Sequence, residues 1–164
     1  MIATPPPSPI TMPLTLSSMA SVFIKLQRVK ERSKSDSLDF CSGEPQTHPS
    51  LCGEGATARR VSLVHSDLFI CKGAVDVLKL LRASRASLLE KAEYIGANVL
   101  LEESWGCTIR MPKVARQGSY RVRIRYCALA SRSSRPDPQK PVALDRVHNI
   151  PGLMTIVERE EITP

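Results

Sequence analysis

Apolar positions along this chain follow two periods, and the change from one to the other predicts its elements. Ala74, Val77, Leu78, Leu81, Leu88, Ala92 and Ile95 share one helical stripe. The spacing predicts a helix over 74–95, twenty-two residues and about 33 Å long. Gly73 is a candidate N-cap, Asp76 suits the positive end of the dipole, and Gly96 stands where a left-handed residue ends a helix. Arg82, Arg85, Glu90, Lys91 and Glu93 fall mostly on the wet side of this stripe.

Beyond Gly96 the period becomes two. Val99, Leu101, Trp105, Cys107, Ile109 and Met111 share one parity, and Glu103 interrupts their apolar face. Tyr120, Val122, Ile124, Tyr126 and Ala128 then alternate with Arg121, Arg123, Arg125 and Cys127. A basic turn from Pro112 to Gly118 joins the two runs, which predicts a hairpin with Trp105 opposite Ile124 or Tyr126. Upstream, Val61, Leu63 and His65 and then Leu68 to Cys71 predict one or two short strands divided at Ser66-Asp67. Downstream, 131–141 has loop composition, Val142 to Val147 fits a helical turn, and Leu153 to Val157 fits a last strand. The sum is α+β: one long helix packed on a small, mostly antiparallel sheet of three to five strands.

Before this domain the composition changes. Residues 1–18 are rich in Pro, Ser and Thr, and 31–58 are polar, with Gly43, Pro45, Pro49, Gly53 and Gly55 scattered through them. Such segments bury too little to order themselves, so 1–58 is expected to be a disordered tail and 59–164 the folded domain.

Charge sharpens that division. Residues 1–58 hold five basic and five acidic groups, so the net +7 resides in 59–164, with 18 basic groups against 11 acidic. A field of that sign favours nucleic acid, a phosphorylated ligand or another anionic partner. The five cysteines form no Cys-x-x-Cys pair and match no zinc spacing. A reducing compartment, cytoplasmic or nuclear, fits them. The acid-poor, Ser-rich first thirty residues are compatible with mitochondrial import. No apolar run is long enough to span a bilayer.

The segments RASRASLLEKAEYIGANVLLEESW (82–105) and PDPQKPVALDRVHNIPGLMTIV (136–157) resemble a family of small uncharacterised proteins of mushroom-forming (agaricomycete) fungi. The resemblance covers about Val64 to Val157 and implies no activity. The step Ile95-Gly96-Ala97-Asn98-Val99 is also similar to one in small bacterial metal-binding proteins, but that cap chemistry is shared by many α+β domains and transfers no site.

Two constellations could carry chemistry. Period-two spacing puts Arg121, Arg123 and Arg125 on one sheet face about 7 Å apart, with Arg110 on the same face of the neighbouring strand and Lys113 and Arg116 in the turn. Such a row can grip anionic oxygens. Gly106 on that face would let a ligand approach the backbone, while an exposed strand protecting a sheet edge is the plainer alternative. Glu103, Trp105 and Tyr126 could instead line a pocket between helix and sheet, with Glu103 as an acid or base. Arg59-Arg60-Val61-Ser62 also resembles a site for basic-directed kinases. No phosphate loop, dinucleotide fingerprint or metal-protease motif occurs, so no catalytic residue, metal or cofactor is implied. The balance favours a non-enzymatic binding or adaptor module using its basic sheet face, with a small-molecule or enzymatic domain as the alternative.

Overall fold

The computed structural model describes residues 37–53, 56–57, 59–112 and 118–163. Five strands form one antiparallel sheet: β1 (Ser37–Cys41), β2 (Val61–Lys72), β3 (Val99–Arg110), β4 (Tyr120–Ser131) and β5 (Thr155–Glu161). A single helix, α1 (Val77–Tyr94), joins β2 to β3. The strand order is β1-β3-β4-β2-β5. β2 and β3 both run antiparallel to β4, so they are parallel to each other. A parallel pair cannot be closed by a tight turn, and α1 supplies the crossover.

The expected α+β architecture is therefore present, with a helix of 18 residues instead of twenty-two. It starts later because Asp76, not Gly73, is the N-cap: its carboxylate accepts from the Lys79 amide at 3.1 Å. Gly73 has φ +82°, and a Cβ there would lie 2.4 Å from the Leu153 carbonyl oxygen. Its role is a close turn, which only glycine fits. At the other end, Gly96 takes the left-handed conformation as expected. Ala97 N–H donates to the Ala92 carbonyl and Gly96 N–H to that of Glu93, both at 2.9 Å, closing the helix in a Schellman motif.

The helix buries Val77, Leu80, Leu81, Leu88 and Ala92 against Phe69, Ile109, Val122 and Ile124 of the sheet. The same face is completed by the segment before β5. Val142, Val147, Ile150 and Met154 pack on this cluster, and Val75 and Ile150 exchange backbone hydrogen bonds at 3.1 and 2.9 Å. The single turn expected after Pro141 appears as a 3-10 turn at Leu144–Arg146.

Three expectations are corrected. β2 is one unbroken strand, because Ser66 and Asp67 pair with Arg125 and Ile124 like their neighbours. The ordered domain begins within the expected tail: Leu38 and Phe40 pair with Ile109 and Cys107, and Ser42 and Gln46 bond to the backbone of β3. The compact unit that holds the sheet runs Asp36–Pro164, so the boundary at 58/59 lies too late. What remains of the tail expectation, residues 1–36, lies outside the described residues, as do Lys113 and Arg116.

The third correction concerns parity in β3. Its register with β4 shifts between Leu101 and Ser104, and Glu102 there has φ +47°. Two residues face one across this bulge, so the faces exchange. Leu100 joins the main core before the bulge, and Glu103, Trp105 and Ile109 face it afterwards. Val99 and Leu101 point the other way and pack with Leu51 and Leu129 in a second, small cluster. One end of the sheet's second face is thereby capped by the 49–51 turn; among the described residues no helix lies over that face, called the uncovered face below.

Candidate functional site

The arginine row lies on the uncovered face. Val122, Ile124 and Tyr126 are buried under α1, so Arg121, Arg123 and Arg125 project from the opposite side and are exposed. Arg110 and Arg121 stand directly opposite as cross-strand partners, and Arg123 and Arg125 face Thr108 and Gly106. Among the described residues none of the four arginines has an ion-pair partner. A shallow hollow of about 310 Å³ sits among them, lined by Ser37, Asp39, Leu68, Thr108, Arg110, Arg121 and Arg123. Asp39 accepts a hydrogen bond of 2.5 Å from the Thr108 hydroxyl and one of 3.3 Å from Ser37, so its carboxylate offsets one of the four charges. A Cβ at Gly106 would meet nothing within 4 Å, so the backbone there is open to approach.

Two physical points favour a ligand surface over a passive one. β4 is the central strand, so its charges protect no edge. Arg110 facing Arg121 is a like-charge cross-strand pair, which destabilises a sheet by a few tenths of a kcal/mol or more. The aromatic side chains of the sheet point elsewhere: Phe69, Trp105 and Tyr126 all lie in the core under α1. The face therefore presents charge and, among the described residues, no aromatic side chain for stacking.

Glu103, Trp105 and Tyr126 do come together, but not as a pocket. They are 0%, 3% and 0% exposed. Glu103 is instead the centre of a buried ion network. Arg85 Nε and Nη2 donate to its two carboxylate oxygens at 2.7 and 2.8 Å, and the Tyr126 hydroxyl donates at 2.7 Å. Arg85 turns its other edge to Asp137, with bonds of 2.7 and 3.0 Å. Asp137 also accepts from the backbone N–H of Leu100 and Gln139. Burial works against the charge on Arg85, but hydrogen bonds to Glu103 and Asp137 outweigh it and raise its pKa. Burial and then the Glu103 charge push the Tyr126 phenol well above its usual range. Arg85 is thus not on a wet face, and the loop 131–141 is pinned at Asp137. Both oxygens of Glu103 are bonded to Arg85 and Tyr126 in the interior, so the carboxylate presents no face to a substrate.

A second polar cluster lies where no sequence motif pointed. The Asp67 carboxylate accepts from His65 Nε2 at 3.0 Å, Ser84 Oγ at 2.6 Å, and Arg159 Nε and Nη2 at 3.1 and 3.0 Å. Burial would raise the Asp67 pKa, yet the bonds from His65, Arg159 and Ser84 outweigh it and hold the carboxyl below the ordinary range. Ser84 bonds to the carboxylate and not to the imidazole, so the three do not form a nucleophile–base relay. Arg159 belongs to β5, and the cluster fastens that edge strand to the helix side of the sheet. The only readable cue was His65 and Asp67 two apart on one strand face.

The cysteines are free. Cys127 is half-buried opposite Ser104 on the uncovered face. Ser62, the residue of the kinase-like motif, is paired within β2 instead of standing in an accessible loop. Among the described residues no cluster of three His, Cys, Asp or Glu could hold a metal, and no helix is long and apolar enough to cross a membrane.

Cys107 gives a pH prediction. Burial, and then the Asp39 charge, push its thiol up to about 12. A raised folded-state pKa means that stability is complete below the unfolded-state value near 9 and falls as pH rises toward 12. Urea unfolding is expected to lose about 1.4 kcal/mol per pH unit in that window, with Tyr126 adding to the loss above about pH 10. Cys107→Ala should make the profile shallower between about pH 9 and 10, leaving the part due to Cys71, whose thiol burial also pushes up; an unchanged slope would assign the loss elsewhere.

Compared with known proteins, this chain matches no family model, no curated protein and no solved structure.

Proposed function

We propose that this chain is a binding module whose uncovered sheet face engages an anionic partner through Arg110, Arg121, Arg123 and Arg125. The observation that carries this reading is the placement of the row on a central strand with no ion pair among the described residues. Four guanidinium groups held by strand geometry can donate bidentately to carboxylate or phosphate oxygens. Among the described residues the aromatic side chains of the sheet pack on its other face, which argues for recognition by charge over recognition by base stacking. An enzymatic reading centred on Glu103 has no support in the buried network that consumes it.

Fluorescence anisotropy tests the proposal. The full chain at low concentration is titrated against a heparin-like polyanion and a single-stranded RNA, from low to physiological salt. The variant Arg121→Ser/Arg123→Ser/Arg125→Ser is expected to bind the polyanion about tenfold more weakly or worse, with a shallower dependence on salt. Equal binding by the two proteins would make the row a solvated surface and remove the proposal.

A further inference from the structure

The uncovered face is not basic throughout. The strand pairings line its residues up in rows that cross the sheet. One row runs Arg110, Arg121, Ile70, Glu158, and the next runs Thr108, Arg123, Leu68, Glu160. Each passes from arginine on β4, through an aliphatic side chain on β2, to glutamate on the edge strand β5. Glu158 and Glu160 are exposed and have no ion-pair partner among the described residues. The intervening Arg159 points to the other side, held by Asp67, and Glu161 bonds to Lys91 of the helix. The acidic pair is therefore rigidly mounted on the same face as the arginines. Between them Leu68 and Ile70 are half-buried, and Val64 is 39% exposed.

This face is complementary to itself. A twofold axis that lies between two stacked sheets and runs along β2 exchanges the left and right sides while keeping each position along the strands. It sets β5 of one copy over β4 of the other. Glu158 then meets Arg121 and Glu160 meets Arg123, twice over by symmetry, while Leu68 and Ile70 meet their own copies at the centre. An axis across the strands would instead place arginine on arginine. Stacked sheets lie about 10 Å apart, a gap that one arginine and one glutamate can fill. With the axis on β2, the strands β4, β2 and β5 of each copy overlap; three strands about 4.8 Å apart, overlapping for about eight residues, present roughly 400 Å² per copy, the size of a weak, transient interface.

We propose that the anionic partner of the arginine row is the glutamate strand of a second copy, in a face-to-face C2 dimer. This rests on the reading above that the row is a docking surface. A free polyanion would meet repulsion from Glu158 and Glu160, whereas a second copy places them against arginine.

Sedimentation equilibrium of the full chain tests it. The wild type is expected to dimerise in the micromolar range. Glu158→Arg/Glu160→Arg makes the rows basic throughout, and Arg121→Glu/Arg123→Glu makes them acidic along β4 and β5; each variant should dimerise at least about tenfold more weakly. Mixed in equal amounts, the two variants should associate again, because the basic rows then face the acidic ones. A wild type still monomeric at about 100 μM overturns the inference, as does a dimer indifferent to both reversals. The outcomes separate the two readings. A monomer whose polyanion binding needs the arginines loses only the second copy as partner. A monomer with no arginine-dependent binding loses both.

Discussion

Arg85→Leu is expected to destabilise the protein by about 3–5 kcal/mol, a large share of the total stability of a domain this size. The substitution keeps much of the side-chain volume and removes the only cation among Glu103, Asp137 and Tyr126. Two carboxylates would then be left in the interior, and each must take up a proton or draw in water. Urea unfolding followed by Trp105 fluorescence measures the loss. Arg85→Leu/Glu103→Leu should cost less than the sum of the two single changes, because the second removes a charge that the first stranded. A single-variant cost below about 1 kcal/mol would mean that the network is hydrated and not buried as described.

Trp105→Ala carries the second large effect, about 3–5 kcal/mol. The indole is buried, meets Phe40 of β1 edge to face at 6.2 Å, and donates from Nε1 to the Val142 carbonyl at 2.8 Å. Its loss leaves a cavity at the point where β1 and the 142–150 segment close over the core. It also leaves the buried Val142 carbonyl without its partner. Circular dichroism melts should fall by more than about 10 °C. Trp105→Phe, which retains most of the packing and loses the hydrogen bond, should cost only about 1–2 kcal/mol. Hydrogen exchange should locate the damage at β1 and 142–150. If those segments stay protected while the melt falls, they are held independently of Trp105.

Much of the architecture was legible because it depends on local pattern. The hairpin of β3 and β4 rests on two alternating runs, and Trp105 stands opposite Tyr126, one of the two expected partners. The orientation of Arg121, Arg123 and Arg125 follows from their alternation with Val122, Ile124 and Tyr126 alone. Even β1 left a trace that was easy to miss, because Leu38 and Phe40 alternate over only five residues beside Gly43 and Pro45. So short a strand has no stability of its own, and it is fixed by the edge of β3 it joins.

By itself, then, the sequence determined the helix, the hairpin, the C-terminal cap at Gly96 and the side of the sheet on which the arginines stand. Each of these follows from backbone geometry acting over a few neighbouring residues. Tertiary structure decided the rest. It placed β4 at the centre of the sheet, which made an exposed charged platform of a strand whose pattern equally suits an edge. It brought Asp137 and Glu103 onto the two edges of Arg85, converting an apparent surface arginine and a suspected pocket acid into one buried ion network. It also laid Glu158 and Glu160 across β2 from the arginine row. These placements depend on pairings between residues tens of positions apart. Charge and periodicity along the chain carry no record of which distant side chain will meet a given one.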